Sequence, residues 1–200
     1  DSSNPVDIIA HYIYKLSGLP KNQVIGTGTA IDSARLQNMI AQTVNVDPRS
    51  VHAYSMGEHG DSQMVPWSTV TIAGKPFYDV IADNKELVGD VDLDELVYRT
   101  TQEGWEIFNR KGTTYYGIAT ACVGVIKAIL NDENRIIPVS TLLEGEYGER
   151  DVYAGVPTVL NRSGAYDVLE IHMTPGELAR FKESTRVIRE YTDRIMKLNL

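Results

Sequence analysis

Positive charge is scarce in this chain. Nineteen Lys and Arg stand against 27 Asp and Glu, a formal net charge of −8 over 200 residues. Such a balance argues against a general nucleic-acid binder or a protein of anionic membrane surfaces, because both reward clustered Lys and Arg. Cysteine is nearly absent: Cys122 stands alone, so no internal disulfide is possible and a reducing, cytoplasmic setting is expected. No apolar run approaches the ~20 residues of a membrane span. The first residues lack the basic stretch and apolar run of a secretory signal. His11, His52 and His172 show no metal-ligand spacing with one another or with Cys122, so no metal site is assigned.

A further absence concerns nucleotides. No Gly-x-Gly-x-x-Gly run sits between a strand and a helix. The nearest approach is Gly26-Thr27-Gly28, and Ile31 occupies the expected third glycine position. No acidic residue closes a βαβ unit about 20 residues on, and there is no Walker-type phosphate loop. A hydrolase reading fails as well, because no Gly-x-Ser-x-Gly elbow exists.

What is present reads as alternating helices and short strands. Val6, Ile9, Ile13 and Leu16 recur at helical spacing before Gly18 and Pro20, which predicts a helix from about Pro5 to Ser17. Val24 to Gly26 reads as a short buried strand, Thr29 to Val44 as a helix, and Val51 to Met56 as a strand ending at Gly57. Trp67 to Ile72, with a turn at Ala73-Gly74-Lys75, suggests another strand. Helices are predicted over Leu93 to Asn109 and Tyr115 to Leu130. Strands are predicted over Ile136 to Leu143 and Val152 to Leu160, with Tyr166 to Ile171 returning antiparallel. Thr174-Pro175-Gly176-Glu177 forms a capping box for a last helix. Its apolar stripe is Leu178, Phe181, Ile188, Tyr191, Ile195 and Leu198.

Three polar clusters could carry chemistry: Asp32 with Arg35, His59 between two glycines, and Thr113-Thr114 before an apolar helix. Reduction of a 2-keto acid would use such a set. Arginine is the flat, two-pronged cation for a carboxylate. Histidine titrates near working pH and can donate the proton, and a carboxylate on its other nitrogen orients it. Each residue also has a plainer reading, and spacing alone does not choose. Asp32 completes a capping box with Thr29, Arg35 is a solvated helix charge, His59 is an inert loop residue, Thr114 is an N-cap, and Cys122 is core.

At these residues the chain resembles the L-lactate dehydrogenase family. The resemblance is carried by Asn4-Pro5-Val6-Asp7 and by Val24 to Thr29 leading into Asp32-Ser33-Ala34-Arg35. Val51 to Tyr54 with Gly57-Glu58-His59-Gly60-Asp61-Ser62 adds to it, as does Lys111-Gly112-Thr113-Thr114-Tyr115-Tyr116-Gly117. The resemblance implies an α+β domain, long helices on twisted antiparallel sheets without a complete Rossmann unit. Residues 1–200 would form the substrate-binding, catalytic C-terminal domain. It implies His59 as acid/base, Asp32 as its partner and Arg35 as the carboxylate clamp. Asn4 would lie near the substrate oxygen and the nicotinamide, Thr114 beside the substrate side chain, and Ile118 against the nicotinamide.

The cofactor implied is NAD, held mainly by an N-terminal domain outside this chain. That domain would also bring a mobile loop with a second arginine, so these 200 residues alone are expected to be nearly inactive. A homo-oligomer is implied, with apolar surface left open here. Pyruvate is the first expectation. Glu58 and Trp67 tilt the reading from the malate pattern towards lactate, with malate dehydrogenase kept as an alternative, and Ser62 to Ser68 keeps an L-2-hydroxyisocaproate-type enzyme in view. The family's fructose 1,6-bisphosphate site would fall at His52 and Gln37, and Gln in place of Arg predicts weak or absent activation. A reading of another class is a non-catalytic assembly module of the same fold.

Overall fold

A computed structural model of the protein describes residues 1–197. The chain forms an α+β domain of seven helices and two three-stranded antiparallel sheets among the described residues. Helix α1 spans Val6–Ser17 and stops at Gly18, whose φ of 70° is the left-handed conformation glycine adopts without strain. Helix α2 spans Gly28–Val44 and α5 spans Leu93–Lys111. Helix α6 spans Tyr115–Leu130, and α7 spans Pro175–Met196. The predicted capping box is formed: Thr174 and Glu177 bond reciprocally at the start of α7.

The larger sheet, β4 (Arg135–Glu144), β5 (Arg150–Asn161) and β6 (Gly164–Val168), lies in the order β4-β5-β6. Seven successive residues of β4 are buried, so both its faces are covered. Leu143, Val152 and Ala154 pack with Phe181 and Ile188 of α7. Val139 and Leu160 meet Val125 and Ala128 of α6, while Leu142 and Tyr153 meet Ala10 of α1. A second core joins Leu36 and Ile40 of α2 to Trp67, Phe77 and Leu96.

Several predicted elements change form. Val24 to Gly26 is not a strand but a single bridge, Gly26 to Ser140. The predicted strand from Val51 to Met56 shortens to β1, Val51–His52. The reason lies in α2, whose side chains take the backbone groups a neighbouring strand would take. Gln37 Nε2 donates to the Ala53 carbonyl at 3.0 Å, and the Ser55 N–H donates to Ser33 Oγ at 2.8 Å. Trp67–Thr69 winds into a 3₁₀ turn, leaving only β2 (Thr71–Ile72) and β3 (Lys75–Pro76) around the predicted turn. Two short helices, α3 (Phe77–Asp83) and α4 (Lys85–Val88), were not predicted. β6 begins two residues before Tyr166 and ends at Val168 rather than Ile171.

On the apolar stripe of α7, Phe181 and Ile188 are buried, Tyr191 is half exposed, and Leu198 lies outside the described residues. Cys122 is partly exposed rather than core. α6 buries only Val125 and Ala128, leaving Tyr116, Val123, Ile126 and Leu130 exposed, with Trp105 and Phe108 of α5 also open. No helix among the described residues is long and apolar enough to cross a membrane.

Candidate active site

The site forms where the first turns of α1 and α2, the loop after β1 and the start of α6 converge. Asp32 lies on the buried face of α2 and is 2% exposed. It completes no capping box with Thr29, because Thr27 is the N-cap residue and caps with no side chain. Thr29 Oγ1 is buried without a partner among the described residues. The Asp32 carboxylate faces an imidazole and a guanidinium instead. Its Oδ2 meets His59 Nδ1 at 2.5 Å, and its Oδ1 accepts from Arg35 Nη1 at 3.3 Å.

His59 reaches Asp32 because its loop is tied down from several sides. Gly57, at φ 87°, exchanges backbone hydrogen bonds with Gly155 of β5 at 2.9 and 2.8 Å. The Glu58 N–H donates to Ser184 Oγ of α7 at 2.8 Å, and Glu58 Oε2 accepts from the Ser62 N–H and hydroxyl. The His59 N–H donates to Asp7 Oδ2 of α1 at 2.9 Å. Gln63 bridges Ser55 and Thr101 of α5. Gly28 makes room for the ring: a Cβ there would lie 2.3 Å from His59 Cγ.

Electrostatics follow from these contacts. Burial is the largest influence on His59 and lowers its pKa. The hydrogen bond and charge of Asp32, with the charge of Asp7, outweigh it and hold the imidazole above its ordinary value, while Arg35 opposes. With Nδ1 committed to Asp32, Nε2 is the nitrogen left to exchange a proton, and it has no hydrogen-bond partner among the described residues.

Asn4, Asp32, Arg35, His59, Thr114 and Ile118 line one cleft of about 610 Å³. These six, the residues singled out from sequence, come from distant parts of the chain. Thr114 sits at the N-cap position of α6, yet its hydroxyl caps nothing; the Tyr115 N–H is within 3.4 Å of Thr113 Oγ1 instead. Gly104 packs beside Arg35, where a Cβ would be 3.3 Å from Nη1. Sequence reasoning missed Asp7, Gln63 and Ser184 as supports. Asp7 stands in the quoted Asn4-Pro5-Val6-Asp7 segment, but an acid in a first helical turn ordinarily reads as a solvated partner of the helix N-terminus. Nothing local signals its burial.

His52 and Gln37 line a second cavity, of about 740 Å³, beside the first. Gln37 is spoken for there by the Ala53 carbonyl. No group of three or more His, Cys, Asp and Glu able to hold a metal ion occurs among the described residues.

Comparison with known proteins shows the family of the chain. Residues 29–198 match the family described as lactate/malate dehydrogenase, alpha/beta C-terminal domain. L-lactate dehydrogenase 3 of Bacillus cereus is 52% identical over 190 residues, covering 95% of this chain and 60% of that protein. L-lactate dehydrogenase 1 of Bifidobacterium longum is 47% identical over 194 residues, 97% of this chain and 61% of that one. The solved minor L-lactate dehydrogenase of Enterococcus mundtii, in its ligands-bound form, superposes with a TM-score of 0.91 at 41% identity. It is matched over 97% of this chain and 62% of its own. The chain thus spans about 60% of the length of the curated relatives it matches.

Proposed function

The chain belongs to the lactate/malate dehydrogenase family, and from that membership we propose that it is the catalytic domain of an NAD-dependent L-lactate dehydrogenase interconverting pyruvate and L-lactate. One observation carries the proposal: His59, paired through Nδ1 with buried Asp32, shares a cleft with Arg35. Arg35 grips the substrate carboxylate with two parallel N–H donors. His59 gives its Nε2 proton to the keto oxygen as that oxygen gains charge, and takes it back in the reverse direction. Asp32 keeps the imidazolium in one tautomer and steadies its charge. Asn4 supplies a further polar group beside the substrate oxygen, and Thr114 borders the substrate's methyl end.

A nicotinamide fits the remaining wall. Ile118 and Ile31 line the cleft with aliphatic carbon, against which a nicotinamide ring can lie. When bound, the dinucleotide supplies the hydride that no side chain can. Because these 200 residues hold no glycine-rich phosphate loop, they alone bind NADH weakly and turn over little. The active protein is a homo-oligomer, a reading supported by the open apolar residues Val123, Ile126 and Leu130 of α6.

Substrate charge discriminates among relatives. Among the described residues Arg35 is the one Arg or Lys lining the cleft, and Glu58 and Asp61 line it too. A second substrate carboxylate would meet repulsion there, which favours a monocarboxylate over oxaloacetate. Trp105 and Phe108 at the cleft favour, as a second reading, a longer aliphatic keto acid. The test follows NADH oxidation by the full-length protein with pyruvate, oxaloacetate and 4-methyl-2-oxopentanoate. Pyruvate is expected to give the highest kcat/KM, and His59→Gln to abolish it. Preference for oxaloacetate, or activity unaffected in His59→Gln, overturns the proposal.

A further inference from the structure

Asp7 does more than end up inside the protein. It is 3% exposed, and its Oδ2 accepts the His59 N–H at 2.9 Å. Its Oδ1 is buried without a hydrogen-bond partner among the described residues, as is Ser140 Oγ on β4. An incompletely bonded carboxylate is an expensive group to bury. A neutral Asn of the same shape could accept the same N–H, so the hydrogen bond alone does not account for a charge here.

Charge counting does. Two cations, protonated His59 and Arg35, share the single carboxylate of Asp32. Asp7 brings a second anion to the same buried group, and it approaches from α1 while Asp32 approaches from α2. The other charged group facing Asp7 is Glu58 of the His59 loop, which is repulsive. Burial pushes the Asp7 carboxyl up to about 6, and the His59 N–H and the His59 charge work against that rise.

We propose that Asp7 is a positioning residue for His59: it clamps the backbone of the histidine while Asp32 clamps its ring, and its negative charge helps keep the ring protonated. Asp7 touches no substrate and acts only through His59. The proposal rests on His59 being the acid/base of the proposed function. Asp7→Asn keeps the acceptor and removes the charge, which separates charge from mere anchoring.

In the full-length protein, the pH above which kcat/KM for keto-acid reduction falls is expected to move down by about one unit in Asp7→Asn. The loss is then about tenfold at alkaline pH and smaller at acid pH. The imidazole titration of His59, followed by NMR, moves down with it. An anchoring role alone would lower activity evenly and leave the His59 titration in place, and that result overturns the proposal. If the native protein reduces no keto acid, the proposed function fails, while the NMR titration still decides the role of Asp7. Should Asp7→Asn not fold, the native protein decides. The His59 amide proton is expected to follow the titration of the Asp7 carboxyl carbon, and an amide that ignores it overturns the proposal.

Discussion

The carboxylate of Asp32 holds His59 Nδ1 at 2.5 Å from inside α2, and its other oxygen is left for Arg35. One buried acid therefore contacts both His59 and Arg35, which under the proposed function are the proton donor and the carboxylate clamp. Changes at either end of this pair should be separable in kinetics.

Asp32→Asn removes the main influence that raises His59, so the imidazole becomes neutral at lower pH. Reduction needs the protonated ring; at neutral pH its kcat/KM is expected to fall on the order of 10²- to 10⁴-fold. The pH profile moves to the acid side. The pair also stabilises the fold while His59 is protonated. A pKa held above its unfolded value contributes fully below the ordinary histidine value and fades as pH rises through the folded one. The stability deficit of Asp32→Asn in urea unfolding is thus larger near about pH 6 than near about pH 9. An unmoved pH–rate profile would contradict this.

Arg35→Lys keeps the charge but loses the fork that matches a carboxylate. The KM for the keto acid is expected to rise on the order of 10²-fold, with the KM for NADH little changed. Initial-rate kinetics with each substrate varied in turn checks this; equal effects on both constants would place Arg35 elsewhere in the mechanism.

Gly28→Ala tests how closely the ring lies on the backbone. The added Cβ would sit 2.3 Å from His59 Cγ, so the imidazole must move. Alanine favours the helix that overpacking disfavours, so the melting temperature shifts modestly while kcat falls on the order of 10²-fold. Retained activity with an unchanged melting temperature would show that the ring is not held where α2 begins.

Fructose 1,6-bisphosphate should change the KM for pyruvate by no more than about twofold. Gln37 brings no charge, and its amide is engaged by the Ala53 carbonyl; nearby Arg49 is paired with Asp47. A large fall in KM on adding the bisphosphate to the full-length protein would refute this.

The helices and the capping box were legible in sequence because they rest on local periodicity and on residues within one turn. The start and end of α1, α6 and the box at Thr174 needed no long-range information. Strands were less legible. Val51 to Met56 has strand composition, but Gln37 and Ser33, far along the chain, took the backbone groups that a ladder would use. α3 and α4 escaped because a short helix between loops leaves too few residues for a period to show.

The candidate residues were legible for a different reason. Asn4, Asp32, Arg35, His59, Thr114 and Ile118 stand in order along the sequence, and it is the resemblance of the segments around them to a known family, more than residue chemistry, that singles them out. Choosing between cap and partner for Asp32, or between cap and cleft for Thr114, required the tertiary structure, because either choice satisfies the same local pattern. Asp7 shows the limit most clearly. The sequence by itself determined that an acid stands in the first turn of α1. That this acid is buried under the His59 backbone was decided by the packing of α1 against β4 and the His59 loop, since burial, and with it the strength of a charge, belongs to the assembled surroundings and to no residue alone.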